Sequence, residues 1–351
     1  MASNRLAPEW ARQDAVILVW PHSYSDWIDQ LTAIEKTYLE LSRHISRYQK
    51  LILITYNEAH HQHVYDLLSK HSIQQNNIVL LVIVTDDTWV RDFGPIYVTS
   101  NNDMTMLNFT FNAWGGKYPH DNDDEFNQNF KLKTNNNVSS HDINFILEGG
   151  NLEINSQGLL LSSSSCFERE LNVRHANERH INLESIQINL REWFGCEKTF
   201  WVNDVILAGD DTGGHIDTLA RFCKDDVIIY SAPGHHADPN TKCLQSLEDQ
   251  LKTFHKQDPS ISEIVPLPCP LPIFNNSHQL PATYVNFLIT NQHVFVPVFN
   301  DKQDNKALKI LDDLFPSREI IDIESNALIQ QYGGIHCASM QMPYGSLSVE
   351  K

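Results

Sequence analysis

Cys337 lies in Tyr332-Gly333-Gly334-Ile335-His336-Cys337, and far upstream a polar, glycine-rich turn reads Gly209-Asp210-Asp211-Thr212-Gly213-Gly214-His215-Ile216-Asp217. A cysteine alone is more often a small buried apolar residue than a nucleophile. Joined to a His-x-Asp it has the makings of a thiol nucleophile with an acid/base partner. Glycines beside both allow the backbone and the thiol to come close to a substrate. His336 adjoins the cysteine, but on an extended chain it points to the opposite face, so it is not read as the base.

If His215 begins a strand, alternation puts His215 and Asp217 on one face. The histidine moves protons near neutral pH. Asp217 then either binds a cation or orients the ring. Metal ligation is disfavoured, because no second histidine-rich turn has compatible spacing. A phosphate loop is disfavoured too, because the Gly-x-x-x-x-Gly-Lys pattern is missing.

Two more acidic turns suggest a cationic electrophile. Thr85-Asp86-Asp87-Thr88-Trp89-Val90-Arg91-Asp92-Phe93-Gly94-Pro95 sets three aspartates and an arginine within seven residues, at the end of an apolar run. Strand ends are where α/β proteins build sites. A carboxylate takes a guanidinium through two parallel hydrogen bonds, which fixes position and plane together. Asp92, with an aromatic wall from Trp89, meets that requirement, whereas Arg91 reads as an ion-pair partner that ties the turn. In Phe145-Ile146-Leu147-Glu148-Gly149-Gly150-Asn151, Glu148 either accepts from a substrate N–H or holds a histidine.

The elements that must position these residues alternate. Apolar runs at 15–20, 51–55 and 78–84 read as strands. A stripe at Ile28, Leu31, Ile34, Tyr38, Leu41, Ile45 and Tyr48 reads as an amphipathic helix, with a second helix around 64–68. Strand-like runs follow at 96–99, 105–111, 145–147, 152–154 and 159–162. Between them, 117–141 is polar and reads as an excursion or lid. The alternation then resumes, with a strand at 227–231, a helix carrying Leu244, Leu247, Leu251 and Phe254, and a strand-like run at 261–267. A hairpin turns at Asn291-Gln292-His293, a helix over 306–315 is stopped by Pro316, and Ser325 caps a last short helix. This is an α/β pattern without long linkers, read as one catalytic domain over 1–351.

Charge and composition narrow the partners. The formal charge is −18, from 26 basic and 44 acidic side chains. No basic footprint for nucleic acid stands out, while an acidic surface concentrates small cations. No run approaches the length of a membrane span. Six cysteines are scattered without a Cys-x-x-Cys pair, and no apolar core of a signal peptide follows the first ten residues. Together these give the expectation of a reduced, cytoplasmic protein.

Taken in order along the chain, the motifs resemble the agmatine deiminases. Trp20-Pro21-His22, Asp87-Thr88-Trp89-Val90-Arg91-Asp92-Phe93-Gly94-Pro95, Phe111-Asn112-Ala113-Trp114-Gly115-Gly116-Lys117-Tyr118, Glu148-Gly149-Gly150-Asn151, Gly214-His215-Ile216-Asp217, Tyr284-Val285-Asn286-Phe287 and Gly334-Ile335-His336-Cys337 carry the resemblance. It implies a five-fold pseudosymmetric α/β propeller of the pentein type, with a central active site. It also implies roles: Cys337 as nucleophile, His215 as general acid/base, Asp92 and Asp217 as grips on the guanidinium, and Glu148 as support for His215 and the substrate. Trp89, Trp114 and Asp86 are further candidates for substrate contact. The implied reaction turns agmatine and water into N-carbamoylputrescine and ammonia through a covalent thiouronium, a step of polyamine (putrescine) biosynthesis. It needs no metal and no organic cofactor, and a homodimer suits the family. A deiminase of peptidyl-arginine or free arginine is the alternative. Free arginine needs a partner for its carboxylate, and Arg91, Arg169, Arg174 and Arg221 are available by composition. A non-catalytic protein that binds guanidino compounds is the second alternative.

Overall fold

The apolar run near the N-terminus forms the strand Gln13–Val19, whose residues 15–19 are all buried. It lies inside a four-stranded sheet, parallel to Lys50–Thr55 and antiparallel to Ser339–Pro343, with Ile78–Val82 beyond. Covered on both faces, such a strand reads as a continuous apolar run, not an alternating one. The crossovers are the helices Leu31–Ile45 and Glu58–Lys70. The first buries Ile34, Tyr38, Leu41 and Ile45 as its stripe requires, whereas Ile28 and Tyr48 fall outside it and are exposed. Asn57 starts the second by accepting a hydrogen bond from the His60 backbone N–H, which satisfies an otherwise orphaned donor. These features come from a computed structural model that describes residues 4–101, 103–134, 137–168, 182–234 and 238–347.

A second four-stranded sheet joins Arg5–Leu6, Ile96–Ser100, Asp103–Thr110 and Ser139–Ile146. Three-stranded sheets hold Glu153–Ile154 with Leu159–Ser163 and Lys198–Val202; Ala220–Lys224 with Val227–Ser231 and Glu263–Leu267; and Leu288–Ile289 with His293–Val298 and Glu319–Glu324. Each of these contains one antiparallel and one parallel pairing. A two-stranded ribbon, Phe274–Asn275 with His278–Gln279, completes the set among the described residues.

The α/β class therefore holds, but the expected five-fold propeller is corrected. Among the described residues the strands divide among several small mixed sheets of unequal size, and no sheet is closed or curled into a barrel or propeller. The polar segment read as an excursion or lid, 117–141, is not without structure. It contains the helices Asp121–Asp124 and Phe126–Thr134, the second anchored by buried Phe126 and Phe130. Those two apolar residues, four apart on one helix face, are what hold it to the core.

Three apolar clusters form the interior, and the largest gathers Trp20, Trp27, Trp89, Phe93, Trp114 and Cys337. The chain segments that bear the chemical groups leave the ends of these sheets and converge there. Among the described residues, no helix is long and apolar enough to cross a membrane.

Candidate active site

Cys337 lies just before the strand Ser339–Pro343, and its position is set by Asn286. Asn286 Oδ1 accepts the backbone N–H groups of His336 (3.0 Å) and Cys337 (3.4 Å), while its Nδ2 lies 3.2 Å from Cys337 Sγ and 3.3 Å from the Asp217 carbonyl. One side-chain amide thus fastens the thiol to the histidine-bearing turn. Gly334 permits this approach, since a Cβ there would collide with the Asn286 amide. Sγ also lies 3.6 Å from Asp217 Oδ2.

His215 and Asp217 do not share a strand face. His215 is the N-cap of a single 3-10 turn, Ile216–Thr218. Thr218 winds it by donating its N–H (3.3 Å) and its hydroxyl (2.9 Å) to the His215 carbonyl. Upstream, Asp210 accepts from Gly214 N (2.7 Å) and from the Thr212 hydroxyl (2.7 Å), an arrangement that fixes the glycine turn. Both side chains still end up buried at the same place, by a turn and not by alternation.

The His215 ring is bracketed by two carboxylates. Nε2 is 3.1 Å from Glu148 Oε2, and Nδ1 is 3.5 Å from Asp92 Oδ1. Asp92 itself accepts the Gly150 N–H (2.9 Å) at Oδ1 and the Trp114 indole N–H (3.0 Å) at Oδ2. A Cβ at residue 150 would sit 2.5 Å from His215 Nδ1 and 2.7 Å from Asp92 Oδ1, so Gly150 is dictated by contact with these two groups, while a Cβ at Gly149 would strike the Arg91 carbonyl.

Burial and charge then set the protonation states. For His215, burial favours the neutral ring, but Asp92 and Glu148 outweigh it and raise the pKa to about 9. Asp92 is raised to about 6, chiefly by burial and against the pull of His215. Burial works to raise Asp217 too, yet its hydrogen bond from His336 leaves it below the ordinary value. The Cys337 thiol is driven well above its ordinary value by burial and then by Asp217 and Asp92. At neutral pH the group set is a neutral thiol, an imidazolium and two carboxylates.

Cys337 and Asp92 line a cleft of about 530 Å³, open to solvent, and His215, Asp217 and Glu148 are buried behind them. Trp89 and Trp114 are walls, as their types suggested; Trp89 packs directly on Gly333. Asp26, Asp87, Asp211, Tyr118 and Thr218 also line it, and among the described lining residues none is a lysine or arginine. Asp86 is not in the cleft. It turns the other way and accepts from Asn122 N (2.8 Å) and Nδ2 (2.7 Å), so it anchors the helix Asp121–Asp124. Its neighbour Asp87 faces the cleft instead, held by the Trp27 indole (3.1 Å) and the Thr88 N–H (2.7 Å).

The arginines are engaged elsewhere. Arg91 does not pair within its own turn; it reaches Gln341 (2.6 Å) and the His336 carbonyl (3.2 Å). Arg221 is fully buried between Glu9 (2.7 Å) and Glu153 (2.7 Å). Arg169 and Arg174 lie outside the described residues.

Asn286, Asp26, Asp87 and Tyr118 carry no role in the sequence reading. Asn286 stands in a motif already quoted, so its type and order were the only available signal. Asp211 was visible as part of the glycine turn; its side chain meets Lys117 Nζ (3.1 Å) and the Tyr118 hydroxyl (2.6 Å) across the cleft rim.

Comparison with known proteins agrees with this geometry. Residues 5–343 match the Porphyromonas-type peptidyl-arginine deiminase family. The sequence is 26% identical to the agmatine deiminase of Pseudomonas fluorescens, over 95% of this chain and 94% of that one. It is 27% identical to the agmatine deiminase of Pseudomonas putida over the same shares. A solved structure of C. jejuni agmatine deiminase, a cysteine-to-serine variant with substrate bound, is similar with a TM-score of 0.88 at 31% identity, covering 98% of this chain and 97% of the other.

Proposed function

We propose, for a chain that belongs to the Porphyromonas-type peptidyl-arginine deiminase family, that it hydrolyses agmatine to N-carbamoylputrescine and ammonia. The observation that carries this reading is the convergence of Cys337, His215, Asp92 and Asp217, with Cys337 and Asp92 lining a cleft whose walls are aromatic and acidic. The guanidinium would lie between Asp92 and Asp217 against Trp89 and Trp114. The amine at the other end would find Asp26, Asp87 and Asp211, and no cation among the described lining residues. A free arginine would set its carboxylate against those same acids, and Arg91 and Arg221 are already engaged in buried contacts.

The chemistry follows from the charges. In the empty cleft the carboxylates hold the proton on Cys337. A guanidinium between them offsets their charge, so the thiol ionises as substrate binds, its proton passing to solvent and returning when the product leaves. The thiolate attacks the guanidinium carbon while His215 gives its proton to the departing nitrogen. Ammonia leaves, and an S-alkylthiouronium on Cys337 remains. Water then attacks the same carbon and the C–S bond breaks. One proton of that water returns His215 to imidazolium; the other converts ammonia to ammonium. Glu148 keeps the ring in place through both steps, and Asp92 and Asp217 keep the carbon electrophilic by holding the cation.

The test is ammonia release from agmatine, free arginine and an arginyl peptide measured side by side. Agmatine is expected to be turned over with the highest kcat/KM. Preference for either arginine substrate would overturn the agmatine reading, and calorimetric binding of agmatine without turnover would overturn catalysis.

A further inference from the structure

We propose that His336 and Glu9 are positioning residues for the reaction, a buried pair that fixes Asp217 so that one of its carboxylate oxygens is reserved for the substrate guanidinium. This inference rests on the reading of Asp217 as a guanidinium grip.

The argument begins with donors and acceptors. His336 Nδ1 lies 2.8 Å from Asp217 Oδ2, and its Nε2 lies 2.6 Å from Glu9 Oε2. Both partners are carboxylates, and neutral imidazole has only one N–H. Two such short contacts are satisfied together when the ring carries both protons. Glu9 is suited to face a cation: burial alone would raise its pKa, but Arg221 and His336 together bring it below the ordinary carboxylate range. Its other oxygen accepts the Ile289 N–H at 2.6 Å.

The ring cannot swing. The His336 N–H is held by the Asn286 carbonyl and side chain, and its carbonyl accepts from Arg91 Nε. Both ring nitrogens of buried His336 are engaged by carboxylates, which leaves none to meet a substrate. It therefore acts through Asp217. Asp217 is fully buried, with Oδ2 taken by His336 and Oδ1 accepting no hydrogen bond among the described residues. A guanidinium N–H is the donor that this oxygen lacks. Besides Glu9 and His336, the charged or titratable groups nearest Asp217 are His215, Asp92, Cys337 and Arg221, with Arg91 and Glu153 behind.

Removing the His336 ring takes from buried Asp217 the hydrogen bond that holds it below the ordinary carboxylate value, so the loss should be greatest at acid pH. The experiment compares wild type, His336→Gln and Glu9→Gln with agmatine from about pH 5.5 to about pH 9. Asp92 sets the acid limb of kcat/KM in the wild type; in His336→Gln, Asp217 is expected to titrate beside it and carry the limb upward, so kcat/KM near pH 5.5 falls about tenfold below wild type while kcat/KM near pH 8.5 changes much less. Glu9→Gln should move it in the same direction by a smaller amount. A merely structural role would lower activity by a similar factor at every pH. Unshifted acid limbs in the variants overturn the proposal; if His336→Gln does not fold, the smaller change in Glu9→Gln decides alone. Asp217→Asn separates the two levels. Full agmatine turnover in Asp217→Asn removes the underlying reading. Loss there, with wild-type pH profiles in the other two variants, removes only this inference.

Discussion

Trp114 donates its indole N–H to Asp92 across 3.0 Å from a backbone held at φ 54°, in the left-handed region. A tryptophan rarely adopts that conformation, and sites that hold one there are often functional. Ala113 before it (φ 48°) is left-handed as well. The turn's strain is tied to the one donor that reaches Oδ2 of Asp92. Trp114→Phe keeps the wall and removes the donor. Asp92, already raised to about 6, should then hold its proton more tightly. The expected outcome is an acid limb of kcat/KM displaced upward, with about a tenfold loss near pH 6 for each unit of displacement. Steady-state rates across pH check it.

The wild-type profile itself is set by two groups. Asp92 must be ionised to hold a guanidinium, and its pKa is about 6. His215 must be protonated to give a proton to ammonia, and its pKa is about 9. The kcat/KM profile for agmatine is therefore expected to be a bell between these values, as it reports the free enzyme. A profile still rising above pH 9 would contradict the role of the imidazolium.

The same histidine couples pH to stability. Its folded pKa, about 9, exceeds the ordinary value of 6.5, so its contribution is complete below about 6.5 and is lost as pH rises through about 9. Thermal unfolding midpoints should fall over that interval, and should fall less in His215→Asn. Calorimetry at fixed ionic strength measures the difference.

Cys337→Ser should reduce ammonia release by at least about a thousandfold, because the hydroxyl is a far weaker nucleophile here, while leaving the unfolding midpoint close to wild type. His215→Asn should slow turnover by roughly 10²–10⁴-fold, the usual range for a positioned acid/base. Mass spectrometry of this variant with agmatine should find an adduct on Cys337. An adduct on any of the other five cysteines would refute the assignment.

Gly150→Ala would thrust a methyl carbon to within 2.5 Å of His215 Nδ1. One element must move, and a displacement near 1 Å at a reacting group costs about a hundredfold. The expected result is a collapse in kcat with folded protein retained, read by activity beside circular dichroism.

The sequence reading named residues that the fold brings together, but saw less of the framework that holds them. Cys337, His215, Asp92, Asp217 and Glu148 stand in short turns rich in glycine and acid, where composition is a direct trace of close packing. Asn286 and Glu9 could not be seen that way, since they meet the Cys337 turn from 51 and 327 residues away. Asp86 and Asp87 are adjacent, identical in type and opposite in direction, and only the Asn122 contact decides which one faces the cleft. His215 and Asp217 were expected to converge through strand alternation; a hydroxyl from Thr218 winds them into a turn instead. The long apolar runs gave the strands at 13–19 and 227–231 faithfully, because a doubly covered strand has no polar face to confuse the pattern. Shorter strands such as Ala220–Lys224, which carries buried Arg221, hid because a charged residue interrupts them.

The antiparallel pairing of Gln13–Val19 with Ser339–Pro343 also governs how the protein can be born. As the chain leaves the ribosome, the early strand acquires Lys50–Thr55 on one side, but its other edge stays bare until the last strand is made. Until then that apolar edge is a template for misplaced pairing, the kind of exposure for which chaperones are needed. The nucleophile sits two residues ahead of the strand that covers this edge, so the reactive thiol is seated when the sheet is finished, and a nascent chain halted earlier cannot be active.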